Sequence, residues 1–452
     1  MKDQIFLLCA AMFGCSSSVK MAHDAKTWDE VGHNLYSDIQ AGIPAYENTK
    51  ISYKRDGKSL MTVILETPAV VSVATKPEKW GFFQFPNFYR SIGGSALVAT
   101  WNMAADAVTS YGKGGNGLAV SRDGGKSWNP PEGKVPPGGG LLLPCGDRIS
   151  VSTPSAIDTT KLKLPKPVGA CKEAYGRNFV FYKLSELPGM LQGVYLNRRA
   201  KGGITRTAEH NILDDPQAVR YTDSGMFPVV WWGDMRIAAD GSVIAGIYPG
   251  FYLNEKGKVE PSGVFFYRST DEGRTWKIQG RIPYEPDLKA DPKGDKRLAL
   301  GFTEPGFEIL SDGTFLCVLR TTDGLGDSPM YISRSTDMGV TWTRSEPFIR
   351  AGVLPRILQL DNGVIVLASG RPGVQLRFCT DGKGEKWTDP FEMLPWEKGK
   401  DAVSCGYTEL LAAGPDRFLL IYSDFKYLNK ENEIRKAIKV RQIIVKPKYA
   451  LK

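Results

Sequence analysis

The sequence predicts an all-β protein folded as a β-propeller of six blades. A polar turn ending in tryptophan recurs four times along the 452 residues, and six short glycine-containing turns separate apolar, strand-like runs. The chain also has 49 glycines and 29 prolines, which suits a protein dense in turns. Repeated hairpins of this kind are typical of radially repeated β architectures.

The tryptophan turn has the pattern S-x-D-x-G-x-T-W. Three regular copies occupy residues 121–128, 269–276 and 335–342, and a fourth at 379–387 has one extra residue and begins with Cys379. The aspartate can accept hydrogen bonds from nearby backbone amides, and the glycine can take a positive φ. The tryptophan is then expected to pack across the next sheet, so the repeat predicts structural turns.

Six further turns mark the hairpin of each predicted blade. They fall at residues 91–94, 145–147, 239–242, 311–313, 361–363 and 414–416. Two segments lie outside this pattern. Residues 19–60 are predicted to be a lead-in before a propeller of residues 61–452, and residues 155–228, which have few turn signals, are expected to hold an inserted loop or helix.

Composition argues against several classes of function. The net charge is +9, but the chain has no block of consecutive lysine or arginine, so we expect no nucleic-acid partner. Beyond the first 18 residues the cysteine count is odd and no C-x-x-C occurs, which favours neither a disulfide framework nor a zinc site. Three histidines argue against a Ser-His-Asp triad or a multi-histidine metal centre. No metal and no cofactor is predicted.

The N-terminus is predicted to be an export signal. Lys2 precedes a short apolar stretch, and Gly14-Cys15 is followed by three serines. Residues 1–18 resemble a bacterial lipoprotein signal, in which Cys15 becomes the lipidated first residue. An ordinary cleaved signal peptide is the alternative. We therefore expect a secreted or cell-envelope protein of a bacterium, with membrane contact only through a lipid anchor at Cys15.

Hairpin geometry supplies candidate functional residues. Residues equally far from an antiparallel turn face one another, and Glu304 and Arg320 are equally far from Asp312. Tyr407, Arg371 and the segment 83–86 lie at comparable distances from the turns of other blades. Polar side chains of four blades are thus predicted to converge on one rim. Alternatively, Glu304 and Arg320 form a cross-strand ion pair and Tyr407 packs in the core.

The repeated turn resembles the Asp box of the sialidase-like propellers. The segment from Glu304 to Arg320 is similar to the family segment that bears the general-base glutamate and the second arginine of a carboxylate-binding triad. Arg371 resembles the third arginine, Tyr407 the nucleophilic tyrosine, and Asp106 the acid/base aspartate. The resemblance extends over much of the chain and implies a six-bladed propeller of the sialidase type.

One position departs from the family pattern. Where the family has the first arginine of the triad, this chain has Gln84, within the segment 83–86. An amide cannot form the charged, bidentate contact of a guanidinium with a carboxylate. Arg90 is the nearest replacement in the same strand, and Arg356 is a further candidate for the pocket rim.

The resemblance implies a retaining exo-glycosidase that removes a terminal acidic sugar, sialic acid or a related keto or uronic sugar, from a glycan. Tyr407 would attack, Glu304 would take its proton, and Asp106 would protonate the leaving oxygen. Arg320 and Arg371 would hold the anionic group. Two alternatives stay open: a non-catalytic carbohydrate-binding propeller and a propeller polysaccharide lyase.

Overall fold

A computed structural model shows an all-β protein, with 53% of the described residues in strands and 3% in helices. It describes residues 49–448 except 56–57, 114, 173–175, 249–250, 262, 293, 296–300, 323–327, 372 and 396–401. The predicted signal at residues 1–18, with Cys15, lies outside the described residues. In the part that is described, no helix has the length and apolar character needed to cross a membrane.

The strands are numbered in chain order. The first half of the chain contains β1 (Thr49–Arg55), β2 (Lys58–Leu65), β3 (Ala69–Val73), β4 (Phe82–Arg90), β5 (Leu97–Met103), β6 (Asn116–Ser121), β7 (Leu141–Leu142), β8 (Arg148–Val151), β9 (Ile157–Asp158), β10 (Gly169–Lys172), β11 (Asn178–Lys183), β12 (Val194–Arg199), β13 (Thr207–Asp214), β14 (Val219–Asp223) and β15 (Met226–Phe227). The second half contains β16 (Trp232–Ile237), β17 (Val243–Tyr248), β18 (Phe251–Leu253), β19 (Val259–Pro261), β20 (Val264–Ser269), β21 (Thr275–Ile282), β22 (Gly301–Ile309), β23 (Phe315–Thr322), β24 (Met330–Ser335), β25 (Glu346–Ile349), β26 (Val353–Gln359), β27 (Ile365–Gly370), β28 (Val374–Cys379), β29 (Phe391–Leu394), β30 (Thr408–Gly414), β31 (Arg417–Leu428) and β32 (Ile434–Pro447). The short 3-10 helices are Val108–Ser110, Thr159–Lys161, Leu184–Glu186 and Gly189–Leu191.

Most strands belong to antiparallel sheets that follow one another along the chain. The sheets β22-β23-β24-β25 and β26-β27-β28-β29 each have four strands, and β4-β5-β6 has three. An eight-stranded sheet contains β16-β17-β20-β21 and β13-β12-β8-β7, joined by a parallel pairing of β13 with β21. All six predicted hairpin turns are confirmed, between β4 and β5, β7 and β8, β16 and β17, β22 and β23, β26 and β27, and β30 and β31.

The N-terminal and C-terminal strands share one sheet. Strand β2 pairs with β32, and β1 pairs in turn with β2, within a sheet that also contains β30 and β31. The predicted boundary between a lead-in and the main fold at residue 60 is therefore wrong, because it cuts through β2. The strands before it extend the last sheet.

The tryptophan turns share one hydrogen-bond pattern. In the first copy, Asp123 accepts the backbone amide of Ser127 at 3.0 Å, and the indole of Trp128 donates to the Gly125 carbonyl at 3.0 Å. In the irregular fourth copy the Cys379 thiol takes the place of the serine hydroxyl and donates to Asp381 at 2.8 Å. Hydrogen bonds from Thr341 and Ser335 lower the pKa of Asp337, in the third copy, to about 2.

The sheets pack face to face, and the tryptophans lie between them. Trp342 stacks on Phe266 at a ring-centroid distance of 4.2 Å, and Trp387 packs on Phe348 at 5.4 Å. Phe266 and Phe348 each belong to the sheet that precedes the tryptophan's own sheet along the chain. The tryptophans therefore pack on the preceding sheet and not, as expected, on the next one. Residues of the last sheet share a further core with β4, β5 and Trp128, which brings the end of the series against its beginning.

Residues 155–228 contain loops and three of the short 3-10 helices, as expected, but they also contain strands, which were not expected. Strands β9, β10, β11, β14 and β15 make a five-stranded sheet, here called the inserted sheet. Its core contains Phe179, Phe181 and Tyr221, which pack against Phe251. The strands contain two to six residues each, too short to show a clear alternation of polar and apolar positions.

Candidate active site

The backbone is strained where the first strands of several sheets come together. Nine described non-glycine residues have a positive φ, and five of them lie in this region: Phe83 (54°), Phe85 (52°), Glu304 (45°), Leu354 (40°) and Arg371 (51°). Such conformations cost about 1–3 kcal/mol each and persist only where the surrounding structure imposes them. Register shifts in β4, β22 and β26 accompany them. Bulges and strain of this kind concentrate at functional sites.

Three predicted residues meet in this region. The Oε1 atom of Glu304 accepts hydrogen bonds from the Tyr407 hydroxyl and, at 2.8 Å, from Nη1 of Arg320. The same Nη1 also donates to the Tyr407 hydroxyl oxygen at 3.0 Å, and Oε2 of Glu304 accepts the backbone amide of Leu354 at 3.0 Å. None of the three residues is more than 3% exposed. Glu304, Arg320 and Tyr407 are called the Glu304 cluster below.

A bulge brings Glu304 to Arg320. The residue directly opposite Arg320 is Thr303, and the register resumes only at Gly306, so Glu304 and Pro305 lie in the bulge. The expected direct pairing of Glu304 with Arg320 is therefore off by one residue. Since Glu304 has a positive φ, its side chain leaves the regular alternation of the strand and reaches both Arg320 and Tyr407.

Arg371 lies over the tyrosine of this cluster. Its Nε donates to the Cys405 carbonyl at 3.0 Å, and its guanidinium lies 5.4 Å from the ring centroid of Tyr407 and 5.5 Å from that of Trp80. The backbone of Gly406 allows this approach, since a Cβ there would lie 2.8 Å from Cγ of Arg371. Arg371 thus adds a second guanidinium beside the phenol, stabilised by two aromatic faces.

Gln84 lies next to a lysine. It is fully buried, and with its amide oriented to satisfy its neighbours the amide oxygen accepts the Gly81 amide at 3.1 Å and Nζ of Lys436 at 3.2 Å. Nζ of Lys436 also donates to the carbonyls of Lys79 at 2.7 Å and Phe82 at 3.2 Å. Burial lowers the pKa of Lys436 to about 8. No sequence pattern indicated Lys436, because it lies far from Gln84 along the chain.

Aromatic side chains surround the cluster, and Asp106 lies behind one of them. Phe85 packs edge-on against Tyr407 at 4.9 Å between ring centroids. The Trp80 indole donates to Oδ2 of Asp106 at 3.0 Å, and Asp106 is 3% exposed. Asp106 therefore reaches the region of Arg371 through Trp80. Trp80 was not predicted, and only its place just before the segment 83–86 could have drawn attention to it.

Two predicted substrate-binding arginines are elsewhere. Arg90 lies at the opposite end of β4 from Gln84, and its Nη2 donates to the Ala412 carbonyl at 3.0 Å on the exposed surface. Arg356 is held by two carboxylates, Asp234 at 2.7 Å and Glu409 at 3.1 Å. Arg90 is too far along its strand, and the charge of Arg356 is already paired, so we remove both from the candidate site.

Arg356 belongs to a second group of charges, called the inner-strand network. It contains Asp234, Arg236, Glu308, Arg356 and Glu409, from β16, β22, β26 and β30. Nε of Arg236 lies 3.0 Å from Oε1 of Glu308, which links β16 to β22. Burial raises the pKa of Glu409, although Arg356 acts in the opposite direction. Burial works to lower the pKa of Arg356, but Asp234 and Glu409 together raise it.

No protein-family model and no curated protein matches this sequence. Among solved structures, a protein of unknown function from Dyadobacter fermentans is 19% identical, with a TM-score of 0.55 over 85% of this chain and 99% of that chain. An α-L-arabinanase from Penicillium chrysogenum is 17% identical, with a TM-score of 0.44 over 83% and 98% of the chains. A sialidase from Trypanosoma rangeli is 14% identical, with a TM-score of 0.37 over 87% and 58%. The chain therefore shares its fold with the Dyadobacter protein.

Proposed function

We propose that this protein is a sialidase-like, retaining exo-glycosidase that removes a terminal acidic sugar from a glycan. We further propose that its successive sheets are the six blades of a sialidase-type β-propeller, with the active site at one end of the inner strands. The observation that carries the proposal is the hydroxyl of Tyr407, which is hydrogen-bonded to both a buried carboxylate and a buried guanidinium.

This arrangement suits a tyrosine nucleophile. A carboxylate nucleophile would be repelled by a sugar that carries its own carboxylate at the anomeric carbon, whereas a phenol is neutral until it attacks. Glu304 would take the phenol proton as the oxygen of Tyr407 forms a bond to the anomeric carbon and the bond to the leaving oxygen breaks. Nη1 of Arg320 would stabilise the negative charge as it develops on the phenol oxygen. Water would then release the sugar with retention.

The charges around the phenol favour an anionic substrate. Arg371 lies over the ring of Tyr407, where it would meet a carboxylate on the attacked sugar. Gln84 contributes an uncharged amide where the sialidase pattern has the first arginine of its triad, so a carboxylate would be bound more weakly. We therefore expect a keto or uronic sugar that presents a hydroxyl or amide group towards Gln84. Asp106 is the candidate acid for the leaving oxygen, one side chain away from Arg371.

The test is hydrolysis of fluorogenic glycosides of N-acetylneuraminate, of its deaminated keto analogue and of glucuronate, with a neutral glucoside for comparison. We expect release of an acidic sugar, loss of it in Tyr407→Phe, and a fall in kcat of about 100-fold to 10,000-fold in Glu304→Gln. Matched controls are Tyr427→Phe, a half-buried tyrosine of β31, and Glu346→Gln, an exposed glutamate of β25. Full activity in both Tyr407→Phe and Glu304→Gln would contradict the proposed mechanism.

A non-catalytic carbohydrate-binding protein is the second candidate. The replacement of the first arginine by Gln84, together with the nearly complete burial of Tyr407 and Glu304, favours it. A glycan array followed by product analysis separates the possibilities. Binding without release supports the binding protein, an unsaturated product indicates a lyase, and a saturated reducing sugar supports the hydrolase.

A further inference from the structure

Lys436, near the start of β32, binds three oxygen atoms of one short segment. Its Nζ donates to the carbonyl of Lys79 at 2.7 Å, to the carbonyl of Phe82 at 3.2 Å and to the amide oxygen of Gln84 at 3.2 Å. The ring centroid of Phe425 lies 4.6 Å from the same Nζ. An ammonium has three N–H donors, whereas a neutral amine has two N–H donors and a lone pair. Three acceptors therefore match the protonated form of Lys436.

The segment held by this ammonium is a tight turn. The backbone amide of Phe82 donates to the carbonyl of Lys79 at 3.3 Å, which closes a turn with Trp80 and Gly81 at its centre. Gly81 has a φ of 96°, and a Cβ there would lie 2.3 Å from the carbonyl oxygen of Ala104, so the turn packs directly against that part of the chain. The carbonyl of Lys79 thus accepts both the hydrogen bond of the turn and that of the ammonium, which stabilises the turn that presents Trp80.

Trp80, at the centre of the turn, contacts two residues of the proposed active site. Its indole N–H donates to Oδ2 of Asp106 at 3.0 Å, and the guanidinium of Arg371 lies 5.5 Å from its ring centroid. The ring of Phe425 contacts both Trp80, at 6.2 Å between ring centroids, and Nζ of Lys436. A shift of the turn would therefore move Trp80 relative to the candidate acid and to the arginine beside the phenol.

We propose that Lys436 is a positioning residue, whose ammonium fixes the turn 79–82 and thereby holds Trp80 against the candidate acid and beside the substrate-binding arginine. The consequence for the reaction rests on the proposed function, whereas the hold on the turn does not. The three donors of the ammonium are used by oxygens of the protein, including that of Gln84. Lys436 therefore acts on the reaction through Trp80 and not by contact with the substrate.

Deprotonation of Lys436 would remove one of its three hydrogen bonds. Burial lowers the pKa of Lys436 to about 8, although the charges of Cys405 and Glu78 act in the opposite direction. Titratable groups around this side chain are Glu78, Lys79, Cys405, Asp424, Lys426, Tyr427, Arg435 and Lys439, with Asp106 and Arg371 beyond Trp80. Asp424 is ion-paired with Lys439 at 2.7 Å. We therefore expect Trp80 to shift as the pH rises through about 8.

NMR of the indole N–H groups tests the hold on Trp80 without any activity. The chain has 10 tryptophans, and the resonance that is missing from Trp80→Phe is the one in the turn. In the wild type we expect this resonance to move with a midpoint near pH 8, and in Lys436→Met we expect no such transition. Lys436→Arg stays charged and should keep the low-pH position of the resonance up to a pH of about 10. Two controls, Cys405→Ala and Lys446→Met at an exposed position of β32, should keep the wild-type transition.

The dependence on the leaving group tests the consequence for the reaction. A nitrophenyl glycoside needs little acid assistance, whereas a methyl glycoside depends on it, and a general acid contributes about 100-fold to 10,000-fold. At neutral pH we expect Lys436→Met to lower kcat/KM for the methyl glycoside of an acidic sugar at least about tenfold more than for its nitrophenyl glycoside, because Trp80 no longer holds Asp106. Gln84→Arg in the Lys436→Met background places a guanidinium beside the same carbonyls and should recover hydrolysis. Lys446→Met should hydrolyse both glycosides as the wild type does.

Two results would overturn this role of Lys436. The first is a Trp80 resonance that does not move near pH 8 in the wild type, or that moves with the same midpoint in Lys436→Met. The second is an equal loss of hydrolysis of both glycosides in Lys436→Met, since Lys436 would then be a purely structural residue. If the Trp80 resonance follows Lys436 but the wild type hydrolyses no acidic glycoside, the hold on the turn stands and the proposed active site fails.

Discussion

The Glu304 cluster and the inner-strand network both combine carboxylates with arginines, and both include a glutamate of β22. They differ in two respects. In the cluster, one carboxylate holds both a guanidinium and a phenol, and the carboxylate residue has a positive φ. In the network, Asp234, Glu308 and Glu409 occupy regular strand positions and contact arginines. We infer from this difference that a strained backbone with a hydrogen-bonded phenol indicates a catalytic site, whereas ion pairs on regular strands stabilise the packing of the sheets.

The largest expected difference is in substrate binding. Arg371→Met should raise KM for an acidic glycoside by about 30-fold to 5,000-fold, the equivalent of about 2–5 kcal/mol for a lost charge contact. Arg356→Met should leave KM nearly unchanged in the folded protein, because its charge is paired with Asp234 and Glu409. Steady-state kinetics on both variants would measure this, and an equal rise in KM would erase the distinction.

The free energy of unfolding should respond more to Arg356→Met than to Arg371→Met, the reverse of their effects on KM. Arg356→Met leaves Asp234 and Glu409 without their shared cation, so we expect a loss of about 3–5 kcal/mol in the free energy of unfolding. Urea denaturation would measure it. The double variant Asp234→Asn/Arg356→Met should recover part of the loss, and a single variant as stable as the wild type would show that the network does not hold the sheets together.

Gln84→Arg tests the role of Lys436 beside Gln84. An arginine there would meet Nζ of Lys436, which lies 3.2 Å from the amide oxygen of Gln84. We therefore expect Gln84→Arg alone to lower the melting temperature without raising sialoside hydrolysis. Gln84→Arg combined with Lys436→Met should raise sialoside hydrolysis, since the repulsion between the new arginine and Lys436 is removed and a third guanidinium is present. A gain in the single variant equal to that in the double would contradict this account of Lys436.

The pH dependence of stability tests the burial of Glu409. Because burial raises the pKa of Glu409, the folded state binds its proton more tightly than the unfolded state does. The contribution of Glu409 to the free energy of unfolding should therefore decrease as pH rises above its ordinary pKa and level off above the folded pKa. Unfolding of the wild type and of Glu409→Gln between pH 4 and about 8 would measure it. If the free energy of unfolding of the wild type instead rises with pH relative to that of Glu409→Gln, the raised pKa is contradicted.

The smallest effect concerns the irregular tryptophan turn. Cys379→Ser restores the side chain of the three regular copies and should change stability by less than about 1 kcal/mol, because a thiol already donates to Asp381. Asp381→Ala should cost more, since it removes the acceptor of the Lys383 and Lys386 amides. Thermal melts would measure the loss of stability in both variants, and a larger loss in Cys379→Ser than in Asp381→Ala would contradict the expectation.

Local physics made the turns predictable. The hairpin turns and the tryptophan turns depend on glycine, aspartate and serine within a few residues, so the sequence pattern determines them. The convergence of Glu304, Arg320 and Tyr407 was also accessible, because distance from a hairpin turn gives the position along a strand and the sialidase resemblance gave the roles.

Features that depend on contacts distant in sequence were not predictable. The bulge at Glu304 shifts the register by an amount that no local pattern indicates. Lys436 reaches Gln84 from the last strand, more than 350 residues away along the chain. Arg356 was misplaced because it lies two positions beyond Leu354 along β26, where its side chain meets the network.

Trapping the sugar on the enzyme would test directly whether Tyr407 is the nucleophile. A fluorinated acidic glycosyl fluoride, which forms the covalent intermediate quickly and hydrolyses slowly, would be incubated with the protein and the adduct located by peptide mass spectrometry. We expect one sugar on the hydroxyl of Tyr407, formed in the wild type and absent in Tyr407→Phe. An adduct on a carboxylate, or steady hydrolysis of acidic glycosides by Tyr407→Phe, would contradict it.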